Sequence, residues 1–228
     1  SSDLLVDLAR DQFGDTEVSK IPIAYDSSLF FAMPRGKQPA PATGFIYYPD
    51  APQKGCDAAI RVLEKVALRL PDLRVYTFGH EPPHTRLPLP SQATFERKPP
   101  QDQIRNIYAS CDAWLCASRS EGFIIPPLEA MACGTPCVST RVSGPDEYIE
   151  NGVSGFLVNI DDEAALADRL EELLRMPEPQ WKEMSAAALR TTQQYTWERS
   201  VECFEAALER AIERSSTLLA EVTHRMGE

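Results

Sequence analysis

The chain has 228 residues, enough for one large domain with a well-buried core. Its composition is 43% hydrophobic, 25% charged and 8% aromatic, as in a soluble globular protein. With 34 acidic against 23 basic residues, a formal net charge of -11 and no basic run, it is a poor nucleic-acid binder, because phosphates must be met by Lys and Arg.

Residues 1–42 read as an entry segment, and the opening "SSDLLVDLAR" reads as the interior of a longer chain. "DLLVDLARDQF" has helical character, "VSKIPIAY" (18–25) reads as a strand, and "PRGKQPAPATG" (34–44) as a flexible lead-in. Strand and helix then alternate over 43–177. "GFIYY" (44–48) is β-rich, and "GCDAAIRVLEKVALRL" (55–70) has helical periodicity. "LRVYTFG" (73–79) is a strand ending at glycine, 81–92 a proline-rich loop, and "ATFER" (93–97) a short strand. Helix 100–111, the near-continuously apolar strand "DAWLCAS" (112–118), a two-turn helix near 127–133 and strand "PCVST" (136–140) follow. A short helix near 145–150, strand "GFLV" (155–158) and helix 161–176, with acids in its first turn, complete the series. Residues 178–228 read as C-terminal helices. In the second of them, Val201, Phe204, Leu208 and Ile212 form an apolar stripe that packs either on the chain's own domain or on a missing neighbour.

No stretch reaches the roughly 18 apolar residues of a membrane span, and no signal peptide is visible. The six cysteines are scattered, several inside apolar strand-like runs, and read as a reduced, buried, cytoplasmic set without zinc-ligand spacing. His80 and His84, in the proline-rich loop, read as surface residues.

The alternation implies an α/β fold, a parallel sheet covered by helices on both faces. Ligands in such sheets bind at the carboxyl ends of strands. "SEGFIIPPLEAMACGTP" (120–136) is a loop of that kind, running from strand 112–118 into a helix. Pro126 and Pro127 suit a first helical turn, and Gly134 suits a helix end. The helix start and the amides of 122–125 form a candidate anion site, with a diphosphate as its natural guest. Glu129, in the first turn, either complements the helix dipole or accepts hydrogen bonds from vicinal hydroxyls. Glu121 is either an exposed loop acid or part of the same site. Lys54, in "QKG" after another strand, is either a solvated lysine or a cation for the phosphates.

"EGFIIPPLEAMACGTPCVST" followed by "SGPDEYIENGVSGFLV" resembles the C-terminal, donor-binding domain of retaining GT-B glycosyltransferases with paired glutamates, over about Ile21 to Trp197. The resemblance implies a Rossmann-like sheet, the C-terminal half of a GT-B fold, followed by C-terminal helices. It implies transfer of a hexose from a nucleotide-diphosphate sugar to a hydroxyl acceptor, such as a sugar or glycolipid, in polysaccharide or glycoconjugate synthesis. Glu121 would sit by the donor sugar and Lys54 by the departing diphosphate. Glu129 would hold the ribose, and Gly122, Phe123, Ile124 and Ile125 would face the sugar and phosphates. Gly79 belongs with the same site, and Arg97, Lys98 and Pro99 would meet the base. No metal or other cofactor is implied. The acceptor would be held mainly by an N-terminal GT-B domain missing here, through which alone any peripheral membrane contact would be made. Three departures from the family pattern stand out. Tyr48 and Pro49 occupy the usual Gly-Arg positions, Arg97 replaces a glycine, and Ile124-Ile125 replace Gly-Leu. The alternative is a catalytically silent sugar-nucleotide-binding or scaffold domain of the same fold.

Overall fold

The computed structural model describes the backbone of residues 2–226 and side chains through residue 216. Helix α1 (Asp3–Phe13) is capped by the Ser2 hydroxyl at its start and by Gly14, in the left-handed region, at its end. Six strands follow: β1 (Ala42–Ile46), β2 (Arg74–Gly79), β3 (Ala93–Arg97), β4 (Ala113–Cys116), β5 (Cys137–Thr140) and β6 (Gly155–Val158). They pair in the order β3-β2-β1-β4-β5-β6, every pair parallel. Between them run α2 (Cys56–Arg69), α3 (Gln101–Ala109), α4 (Pro126–Ala132) and α5 (Pro145–Tyr148). After β6 come α6 (Glu163–Arg175), α7 (Glu178–Thr192) and α8 (Trp197–Met226).

The expected strands and helices of 43–177 are present to within a few residues. Strands β4, β5 and β6 are buried along their whole length, as strands covered on both faces must be. One core cluster joins α2 and α6 to the sheet through Val62, Leu63, Leu166 and Leu170. The other joins α3, α4 and α7 to the opposite face through Tyr108, Leu128, Met131 and Ala188.

One expectation is corrected, and one of the two alternatives for the α8 stripe is excluded. Residues 18–25 form no strand. Pro22 lacks an N–H, and the segment packs on the helical corner instead, its Pro22 carbonyl accepting from Ser200 Oγ at 2.7 Å and Tyr25 N–H donating to the Tyr195 carbonyl. The apolar stripe of α8 does not pack on the chain's own domain. Val201, Phe204, Leu208 and Ile212 are all exposed, Phe204 at 53% and Ile212 at 65%. By contrast α7 is seated on the domain through buried Trp181, Met184 and Ala188.

The strand order reverses at β1: β2 and β3 lie to one side, β4 to β6 to the other. The loops leaving β1 and β4 therefore part at the carboxyl edge, the position where open α/β sheets hold ligands. Two glycines set how closely the loops there approach. Gly55 has φ +65°, and a Cβ on it would lie 1.8 Å from the Ala117 carbonyl oxygen. Gly144 has φ +97°, and its Cβ would lie 1.5 Å from the Phe123 carbonyl oxygen. Both the backbone conformation and the space exclude a side chain. Gly55→Ala is therefore expected to cost at least about 2 kcal/mol of unfolding free energy. Urea denaturation checks this, and a variant as stable as the parent would refute the close approach.

Candidate active site

The loop after β1 turns through a single 3-10 turn (Pro52–Lys54) that presents Lys54 just before α2. The loop after β4 carries Ser118 to Ile125 and leads into α4. Arg119 fastens the two loops together. Its guanidinium bonds both oxygens of Asp57 at 2.8 and 2.9 Å, the Pro52 carbonyl at 2.9 Å and Asp161 at 2.8 Å. Its backbone N–H reaches the Gln53 carbonyl at 2.7 Å. Hydrogen bonds from Arg119 hold the Asp57 carboxyl well below the usual carboxylate range.

This closure brings Lys54 and Glu121 together, with Nζ 2.8 Å from Oε2. Glu121 is not an exposed loop acid: its side chain is 8% accessible, and its other oxygen, Oε1, is buried without a hydrogen-bond partner. An unmet buried acceptor costs about 1–3 kcal/mol, so such an atom in a native fold calls for a ligand or a role. Lys54 and Glu121 line a cavity of about 440 Å³, together with Gly122, Phe123, Ile124 and Ile125. Among the described residues, the N–H groups of those four loop residues donate to no protein acceptor.

The loop is held under strain. Ile124 has φ +56°, a conformation that a β-branched residue adopts at a cost of about 1–2 kcal/mol. It is kept there by Tyr148, whose hydroxyl donates to the Ile124 carbonyl at 3.0 Å, and by Gly144 lying against Phe123. Pro126 and Pro127 fill the first two positions of α4. Neither has an N–H, so the donors expected of the helix start come mainly from the preceding loop.

A second chamber of about 370 Å³ opens beside the first. It is lined by Glu129 from α4, Gly79, Lys98 and Pro99 from the β2 and β3 ends, and Tyr108. Glu129 is not placed by helix capping alone. Its Oε2 accepts from the Tyr108 hydroxyl at 2.9 Å. Tyr108 is fully buried on α3, edge-on to Trp114 at a centroid distance of 4.6 Å. Burial raises the Glu129 pKa, and the Tyr108 hydrogen bond opposes the rise.

Arg97, at the end of β3, does not line either chamber and donates from Nε to the His80 carbonyl. His80 is exposed, as expected from sequence, and also lines the Glu129 chamber, whereas His84 lies outside both chambers. Tyr108 was absent from the sequence-derived site because its spacing marks a core face. The available signal was its chemistry: a buried tyrosine hydroxyl needs a partner. The free cysteines Cys56, Cys111, Cys116, Cys133 and Cys137 are buried, and burial raises the Cys56 thiol to about 11. Among the described residues no helix is long and apolar enough to cross a membrane.

Comparison with known proteins finds one family across the sheet and its flanking helices. The family described as "Glycosyl transferases group 1" matches residues 42–176. The N-acetyl-alpha-D-glucosaminyl L-malate synthase of Bacillus anthracis is 41% identical over 75 residues, which is 33% of this chain and 20% of that enzyme. The D-inositol 3-phosphate glycosyltransferase of Mycolicibacterium smegmatis is 31% identical over 164 residues, 66% of this chain and 37% of that enzyme. The pneumococcal O-GlcNAc transferase GtfA, solved with UDP and GlcNAc, superposes with a TM-score of 0.74 at 19% identity, over 93% of this chain and 44% of that one. Sucrose-phosphate synthase from Thermosynechococcus elongatus gives 0.70 at 19% identity, over 95% and 57%. The chain thus spans well under two thirds of the length of these proteins.

The burial of Glu129 gives a prediction independent of any ligand. A carboxyl whose folded pKa is raised favours the fold below its unfolded value of 4.5, and that favour is lost as pH rises through the folded pKa. Glu129→Gln should therefore be more stable than the parent at pH 7, and the difference should shrink to nothing as pH falls below 4.5. Denaturation curves for both proteins at pH 7 and pH 4 decide it. A variant less stable at pH 7 would show that Glu129 is not held at a desolvation cost.

Proposed function

The chain belongs to the glycosyl transferases group 1 family and has the fold of a GT-B C-terminal domain; on that footing we propose that it is the donor-binding part of a retaining hexosyltransferase using a nucleotide-diphosphate sugar. The observation that carries this reading is the pairing of two adjoining chambers at the strand ends. One holds Lys54, the orphan oxygen of Glu121 and the unpartnered amides of 122–125; the other holds Glu129 on a rigid aromatic support. Glu129 Oε1 is free to accept from ribose hydroxyls while Tyr108 holds Oε2. The base lies along Gly79, Lys98 and Pro99, and the sugar lies against Gly122–Ile125 with Glu121 Oε1 as acceptor for its hydroxyls.

In the transfer step the bond between the anomeric carbon and the diphosphate oxygen breaks. The departing charge is met by Lys54 and the loop amides, with no metal required by this reading. The acceptor hydroxyl attacks from the face the diphosphate leaves and passes its proton to the departing diphosphate oxygen, so configuration is retained. An acceptor-bearing half is supplied by further polypeptide, which docks on the exposed stripe of α8. Because that half supplies proximity, the chain by itself binds donor and transfers poorly. The product belongs to polysaccharide or glycoconjugate synthesis in the cytoplasm.

Calorimetric titration with UDP, GDP, ADP and dTDP tests the reading. One of these should bind, and Lys54→Met should weaken it about tenfold, the loss of one charge-assisted contact. A folded chain that binds none of them would favour a silent scaffold domain instead.

A further inference from the structure

Tyr48 follows β1 and is half-buried at the junction of the two chambers: it lines both the Lys54–Glu121 cavity and the Glu129 cavity. Among the described residues, only Ile46 and Pro126 share that position, and neither offers a side-chain polar group. Its backbone is fixed, the N–H donating to Cys56 Sγ at 2.9 Å. Its ring carries the Lys54 ammonium, with Nζ 5.5 Å from the centroid. Among the described residues its hydroxyl has no hydrogen-bond partner.

We propose that Tyr48 is a specificity-determining residue for the diphosphate, its phenol hydroxyl donating to a phosphate oxygen at the point where the ligand passes from the ribose chamber to the sugar chamber. The inference rests on the donor-site reading above and deepens it. A ligand that spans Glu129 and Lys54 must cross Tyr48, and this is where the link between nucleoside and sugar falls. The phenol is well suited to donate. Burial, together with the negative charges of Glu121 and Glu129, raises its pKa, so it keeps its proton next to an anion. The ring also limits where Lys54 can go, holding the ammonium between Glu121 and the junction. A nucleoside monophosphate fills the Glu129 chamber and stops short of the junction, so the hydroxyl discriminates between one phosphate and two.

The test is isothermal titration of the parent chain and Tyr48→Phe with UDP and UMP, GDP and GMP, and ADP and AMP. Circular dichroism melts establish that the variant folds. Tyr48→Phe keeps the ring and the Lys54 contact and removes only the donor. It should weaken the diphosphate about tenfold and leave the matching monophosphate within about twofold. An unchanged ratio of diphosphate to monophosphate affinity would overturn the role of Tyr48 while leaving the donor site standing. Equal weakening of both would place Tyr48 at the nucleoside and also overturn the proposal. If the parent chain binds none of the six, nor dTDP, the donor-site reading falls and the role of Tyr48 falls with it.

Discussion

The site depends on one close approach, that of Gly55 to the Ala117 carbonyl. Strands β1 and β4 are neighbours, but their loops lead to opposite faces of the sheet, and nothing in the sheet itself makes the loops meet. Gly55 allows backbone contact where any Cβ would collide, and Arg119 then ties the β4 loop to Pro52, Gln53 and Asp57. Lys54 and Glu121 fall into contact as a consequence. The same device recurs one strand further on, where Gly144 lets the β5 loop close over Phe123 and fixes the strained residues that follow.

The cleft is assembled at the expense of local stability. Ile124 sits in a conformation poor for a β-branched residue, Glu121 keeps a buried oxygen unmet, and Glu129 holds a carboxylate where burial disfavours its charge. No one of these would survive in a loop free to relax. They persist because the surrounding framework is over-determined: Tyr148 clamps Ile124, Tyr108 braces Glu129, and the rings of Phe78, Tyr108 and Trp114 pack together beneath. The costs at Glu121 and Glu129 are ones that hydroxyl donors on a ligand would reduce; the backbone strain at Ile124 would remain.

Most of this was legible in the sequence, for reasons that differ by element. Strands β4 and β6 announce themselves as apolar runs, and α2 and α6 by their periodicity, because burial on a sheet face imposes those patterns. Glu121 and Lys54 are visible as polar residues in loops after strands, and Glu129 as an acid in the first turn of the following helix. What was not legible arises from contacts distant in sequence. Residues 18–25 have strand-like composition, yet their partners are Tyr195 and Ser200, far along the chain. Tyr108 carries a core residue's spacing, and only its meeting with Glu129 gives its hydroxyl a purpose. The exposure of the α8 stripe was also undecided, since amphipathicity specifies that a helix has an apolar face and not which surface covers it.

A net charge of -11 would weigh against a diphosphate ligand if it acted uniformly, but the arrangement of the cleft leaves room for one. Charges beyond about 8–10 Å are largely screened at physiological ionic strength, so the overall excess of acids weighs little inside the cleft. In the Lys54–Glu121 chamber the lysine is already neutralised by Glu121, and the other donors there are uncharged: loop amides, the Ser118 hydroxyl and the Tyr48 phenol. An arriving diphosphate would therefore compete with Glu121 for Lys54. If the ammonium turns towards the phosphates, Glu121 is left with both oxygens unmet, a cost that sugar hydroxyls in place of the lysine would offset. On the donor-site reading, phosphate recognition and sugar recognition would thus be coupled through one ion pair: a nucleotide-sugar would satisfy both Lys54 and Glu121, whereas a nucleoside diphosphate alone would satisfy Lys54 and leave Glu121 less well met.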